Sequence, residues 1–259
     1  IYYWQQDPAN NHRWHRAAGM AATLLAIADM PGIEADWLLE QFRQEMDFLV
    51  KWFPEEGDSH EGANYQNFGF HYLAQAATMM DRVLGTEYLE HPGFANAWKL
   101  QLHAWIPATR RGMSFGDANN GGSTGNYGAA FFLGPRLSRD PVAQAALLYH
   151  YQRMTQGKNK NPYTYPWMML HYYDPTVEAG ELADLDTVEL FEDLGVVYLR
   201  DNWGENAVQW MFKCGPYGGY KLNEYRNEND FHYVNIAHDD PDANTFAAVV
   251  QGDYLVHPG

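Results

Sequence analysis

Cysteine is almost missing: Cys214 stands alone in 259 residues, which excludes an internal disulfide framework and any cysteine-only metal site. A lone cysteine is more often a small buried hydrophobe than a nucleophile, and it does not separate cytoplasm from periplasm. Positive charge is scarce too. Against 33 Asp and Glu there are 17 Lys and Arg, a formal charge of −16, so general nucleic-acid binding, which needs a basic footprint, drops out. Long apolar runs are lacking; none has the length to cross a bilayer, so membrane insertion is not expected. No signal-peptide pattern opens the chain. Two catalytic motifs are also missing: no Gly-Lys-Ser/Thr follows a glycine-rich loop, and no His-Glu-Xaa-Xaa-His occurs.

What is present is a globular composition, 46% hydrophobic and 19% charged, with enough chain for one large domain or two modest ones. Aromatic residues reach 15%, with 9 Trp and 18 Tyr. Much of that belongs to a core, but exposed Trp and Tyr also stack on sugar rings, which gives weight to a carbohydrate cleft. An acidic protein still handles an anionic substrate where its cleft is locally neutral or basic.

The hydrophobic period divides the chain. Met20, Leu24 and Ile27 predict a helix from His12 to Asp29, stopped by Pro31-Gly32; Leu38, Phe42, Leu49 and Trp52 predict a second from Asp36 to Phe53. A third carries Phe70, Leu73, Ala77 and Met80 and ends near Gly85; a fourth is predicted from about Ala95 to Arg111. Gly116 to Gly128 is a glycine- and asparagine-rich loop that either presents its backbone to a ligand or is a plain surface loop. Asp140 to Gln156 is helical, and the aromatic run from Tyr163 to Tyr172 is expected to be. Near residue 190 the period falls to two: Gly195 to Leu199, Val208 to Phe212 and Phe246 to Val250 read as strands, and Tyr254 to Val256 follows a turn. Helices first and strands afterwards predict an α+β chain of two consecutive domains, 1–180 helical and 190–259 antiparallel β, with the boundary in 174–193. Ile1 and the abrupt His257-Pro258-Gly259 read as the cut ends of something longer.

Three groups of residues could carry chemistry. Asn11-His12 opens a helix, Tyr65 lies at the mouth of the third helix within Glu61-Gly62-Ala63-Asn64-Tyr65, and His238 leads the run His238-Asp239-Asp240-Pro241-Asp242-Ala243-Asn244-Thr245-Phe246. Each has an ordinary reading, as a cap, a packed tyrosine and a solvated acidic turn. The run does not match an EF-hand loop.

Together and in this order, the three resemble the heparinase II/III-like superfamily, which holds heparin, chondroitin and alginate lyases and the dermatan-sulfate epimerases. Leu190-Phe191-Glu192-Asp193-Leu194-Gly195 and the glycine-rich loop with Tyr127 resemble its epimerase branch. The resemblance spans residue 10 to the end. It implies part of an (α/α) toroid followed by part of an antiparallel β-sandwich, with the active site in the cleft between them. It further implies a periplasmic or secreted enzyme acting on an anionic polysaccharide, alginate first and a glycosaminoglycan next.

The chemistry implied is β-elimination at a 4-O-linked uronate. The proton at C5 is weakly acidic while the neighbouring carboxylate keeps its charge, so a hydrogen-bonding or cationic group must neutralise that carboxylate. Asn11 and His12 match the family positions for this task. Tyr65 matches the catalytic tyrosine, an acid and for some stereochemistries also the base, and His238 matches the second proton-transfer group, on the opposite face of the sugar ring. A phenol of ordinary pKa, about 10, needs help to act, and His12 or Arg13 are the nearby cations expected to give it. A C5-epimerase would use the same residues and return the proton to the other face; a carbohydrate-binding protein would keep the cleft without turnover. The resemblance also implies a structural divalent metal, zinc or manganese, for which Asp240 and His257 are the candidate ligands. His15, where some relatives carry glutamate or asparagine, is expected on the helix surface.

Overall fold

The computed structural model describes residues 7–113, 115–116, 128–156, 166–231, 238 and 243–257. Three long helices come first: α1 (Asn11–Ile27), α2 (Ala35–Trp52) and α3 (Gly62–Leu84). Their ends follow from local chemistry. Asn10 caps α1, and Gly85 closes α3 in the left-handed conformation at φ 67°, which glycine adopts without strain.

The fourth predicted helix does not run through. The chain forms two short helices, α4 (Pro92–Asn96) and α5 (Trp98–His103), and then a hairpin of β1 (Trp105–Ile106) and β2 (Arg111–Gly112). Pro107 is the reason: its ring disfavours helical backbone at Ile106, so the apolar spacing that seemed to continue is broken sterically. Next come α6 (Ala129–Ser138), α7 (Pro141–Thr155) and α8 (Trp167–Tyr172). Asp140 caps α7 by accepting from the Val142 amide at 2.8 Å. Most of the glycine-rich loop, and Tyr163 and Tyr165, lie outside the described residues.

The second half is a five-stranded antiparallel sheet in simple meander order: β3 (Val188–Phe191), β4 (Val196–Arg200), β5 (Gln209–Lys213), β6 (Thr245–Val250) and β7 (Asp253–Val256). The β6–β7 ladder is irregular at Ala248/Val249. One helix interrupts the strands, α9 (Gly219–Glu228), where no helix is predicted from sequence. The fold is therefore mixed α+β, with helices leading and an antiparallel sheet following.

Besides a small cluster of Trp52, Leu222 and Tyr225 that packs α9 on α2, two larger buried clusters hold the described residues together. One lies among the helices and includes Trp14, Phe42, Phe53, Phe70, Phe94 and Phe131. The other joins Phe191, Tyr198 and Met211 of the sheet to Ala63 of α3, Leu100 of α5 and Phe115. That second cluster seats the sheet over the beginning of α3. Polar clips add direction. Glu56, in the α2–α3 loop, accepts from the Glu192 and Asp193 amides of the β3–β4 turn at 3.0 and 3.1 Å. Arg200, from β4, reaches across to donate to the carbonyls of Leu102, His103 and Trp105 at 3.2, 2.8 and 3.2 Å, with Trp203 stacked on its guanidinium at 4.0 Å. Burial pulls Arg200 down to about 10, so it stays charged at neutral pH.

Candidate functional site

The site is built where the first turns of α1 and α3 meet. Asn10 is extended (φ −68°, ψ 131°), and its side-chain oxygen accepts from the His12 amide at 3.0 Å, which starts α1 and leaves His12 exposed on its first turn. Across from it stands Glu61, the residue before α3. Its carboxylate accepts from Asn10 Nδ2 at 3.0 Å, from the Asn11 amide at 2.9 Å and from Asn11 Nδ2 at 2.9 Å. Tyr65 follows one turn into α3 and is half-buried. The close approach of the helices depends on Gly69: a Cβ there would lie 2.9 Å from the Trp14 ring and 3.1 Å from Asn11 Cβ.

His238 arrives from the strand half. Its imidazole lies flat on the Tyr65 ring, with centroids 3.6 Å apart and planes 8° from parallel, and 6.4 Å from the His12 ring. His238 has left-handed backbone, φ 64°, a region few non-glycine residues adopt. Of the four residues expected to be catalytic, the rings of His12, Tyr65 and His238 thus come together. Asn11 differs. It is 2% exposed, and both of its nitrogens are given to Glu61.

The electrostatics bear on which form His12 takes. Burial, with His238 and His15 nearby, holds His12 below the ordinary histidine range. At neutral pH it is a neutral hydrogen-bonding group, not a cation. Arg13 is turned to Glu45, which it grips with two nitrogens at 2.7 Å, and its guanidinium lies 4.4 Å from the Phe48 ring. The charge of Arg13 is thus paired with Glu45.

His15 is exposed as expected, yet its ring packs 4.1 Å from Tyr72, which lies 3.7 Å from buried His71. Burial pushes His71 down to about 4. A cleft of ≈590 Å³ between α1 and α2 is lined by His12, His15, Arg16, Met20, Leu38 and Gln41; of the three rings it takes in that of His12. Of the two metal candidates only His257 can be placed. Asp240 lies outside the described residues, and His257 packs 4.8 Å from Tyr254. Among the described residues no group of three or more His, Cys, Asp or Glu is placed to hold a metal.

Sequence reasoning gave no role to Glu61, nor to the buried Asp7–His60 pair beside it at 2.9 Å. A signal existed: Glu61 is an acid in an otherwise well-packed region, and two adjacent asparagines start α1. No model of a known protein family matches this chain, and no curated protein matches it, so the reading of the site rests on its own residues.

Proposed function

We propose that this chain belongs to a polysaccharide lyase that cleaves a uronic-acid polymer by β-elimination, with alginate the first candidate and a glycosaminoglycan the next. The observation that carries the reading is the meeting of Tyr65, His238 and His12, residues far apart in sequence and drawn from both halves of the chain. A phenol and two imidazoles suit a reaction that takes a proton from carbon and gives one to a departing oxygen. Neutral His12 faces the uronate carboxylate as a hydrogen-bond donor and lessens the cost of charge moving into it. Tyr65 removes the C5 proton or protonates O4, and His238 serves as its partner in proton transfer. As the C5–H bond breaks, its electron pair forms the C4–C5 double bond, and the C4–O4 bond breaks with its pair leaving on oxygen, which takes a proton.

Two rings at 3.6 Å are in van der Waals contact, so a sugar cannot lie between them in this arrangement. Catalysis with His238 on the opposite ring face requires the stack to part as substrate enters.

The same reading takes the helices as part of an (α/α) toroid and the sheet as one layer of an antiparallel sandwich. It is supported by the outward face of the sheet, where Leu190, Leu199, Trp210, Phe212 and Phe246 are between 37% and 52% exposed. Cross-strand register sets Leu190 beside Val197, Val197 beside Phe212 and Phe212 beside Phe246, a continuous apolar row of the kind a second sheet covers. A periplasmic or secreted location belongs to this proposal. No step in it uses a metal.

The test is direct. On uronate polymers the protein is expected to generate the ultraviolet absorbance of a C4–C5 unsaturated end, and Tyr65→Phe is expected to reduce that rate by roughly 10²–10⁴-fold. Solvent deuterium appearing at C5 without new absorbance would assign an epimerase instead. Binding with neither signal would leave a carbohydrate-binding protein.

A further inference from the structure

We propose that Glu61 is the positioning residue of this site, one buried carboxylate that fixes the first turn of α1, with His12, against the first turn of α3, with Tyr65. The inference rests on the reading of these residues as a proton-transfer site, but the contact itself is independent of substrate.

The geometry leaves little slack. Glu61 takes three donors from two consecutive residues, one on Oε1 from Asn10 and two on Oε2 from Asn11. Asn10 passes the hold onward, because the amide end of its side chain goes to Glu61 while its oxygen accepts from the His12 amide. A short chain of hydrogen bonds therefore joins Glu61 to His12. On the other side Glu61 is set by a tight turn. Its amide donates to Ser59 Oγ at 3.3 Å, and the next amide, of Gly62, donates to the Ser59 carbonyl at 2.9 Å with Gly62 at φ 76°. Tyr65 then rides on the helix that this turn begins.

Glu61 is 1% exposed, so it cannot touch a polymer in the cleft and acts only through the residues it holds. Only an ionised carboxylate accepts from three donors with both oxygens free to do so; a protonated one turns an acceptor into a donor. Buried acidic and basic groups share its surroundings, with Asp7 and His60 paired at 2.9 Å. Burial pushes Glu61 up to about 8, against the pull of His60 and Asn11 and with the push of Asp7. The hold is therefore weakest where the carboxyl gains its proton, on the acid side of that value.

Glu61→Gln keeps the size of the side chain but turns an amide toward asparagine donors. Two readouts test it. In the free protein, nuclear magnetic resonance should show the Asn11 backbone amide and the Asn10 and Asn11 side-chain amides sharing one pH inflection, lost in Glu61→Gln. On substrate at pH 9, where Glu61 is ionised, kcat should fall by about 10²-fold, the cost of a small misplacement of reacting groups, with KM little changed. Asn10→Ser is the second variant: it keeps the helix cap, removes one leg of the hold, and should lower kcat without unfolding α1. Amides with no common inflection, or normal kcat in either variant, would overturn the proposal. If the wild-type protein turns over no uronate polymer, the lyase reading fails, and the amide titration alone decides whether Glu61 holds the two helices.

Discussion

At the scale of the residue, His12 is the group whose charge state decides what the cleft offers an anion. Burial, His238 and His15 all disfavour its protonation. Removing His15 removes one of the three. In His15→Asn the His12 titration, followed by its ring-proton resonance, is expected to move up toward the ordinary value of about 6.5. If neutral His12 is the working form, the acid limb of kcat/KM moves up with it, and activity is lost at a higher pH than in wild type. An unmoved limb would assign that limb to another group. His12, Tyr65 and His238 were legible in sequence because three motifs follow one another in a fixed order. Glu61 stood inside one of them without a role, since its partners, Asn10 and Asn11, are 51 and 50 positions away and no spacing rule joins them. The burial of Asn11 and the capture of Arg13 by Glu45 escaped for the same reason: sequence shows which groups exist but not which way they turn.

At the scale of the element, the sheet is held to the helices by few but specific contacts, and Arg200 is the most demanding. Its Nη2 serves three carbonyls of the α5–β1 corner that would otherwise be buried without that donor. Arg200→Met fills similar space and donates nothing, so it is expected to cost about 2–3 kcal/mol in urea denaturation. Arg200→Lys should recover only part of this, because an ammonium lacks the flat guanidinium face that stacks on Trp203 at 4.0 Å. α1, α2 and α3 were legible from a period of 3.6 and from the Pro and Gly residues that stop them, β4 to β6 from alternation and β7 from the turn at Gly252-Asp253. The helix expected through residues 95–111 failed at Pro107, where a local steric rule outweighs apolar spacing. α9 gave no signal because Gly219–Glu228 is polar nearly all round and buries only Gly219, Leu222 and Tyr225. β3 fell in the acidic stretch taken as a boundary; its strand character comes from pairing with β4, a contact made in space.

For the whole molecule, stability against pH is set by groups buried in their neutral forms. His71 is pushed by burial to about 4, and His103 and His150 to about 3. Unfolding lets them take protons, so stability falls as pH drops from about 6.5. Burial, with Asp193 and Glu56 close by, raises Asp58 well above the carboxylate range, and burial raises Glu61 to about 8. Unfolding lets these lose protons, so stability also falls as pH rises from about 4.5 toward 8. Unfolding free energy, and the melting temperature with it, should therefore peak near pH 5–6; the free energy should fall on both sides by about 1.4 kcal/mol for each unit of pKa difference expressed. Asp58→Asn should flatten the alkaline decline; an unchanged slope would show that Asp58 folds as the anion. The same global arrangement lays His238, from the strand half, flat on Tyr65 of α3. An aromatic ring carries a circulating current, and protons held above its face resonate upfield of their usual place. The imidazole protons of His238 should stand apart in the spectrum of the resting protein and return to ordinary positions when a saccharide pushes the rings apart. The pair that is proposed to do the chemistry is thus also a built-in gauge of whether the cleft is filled.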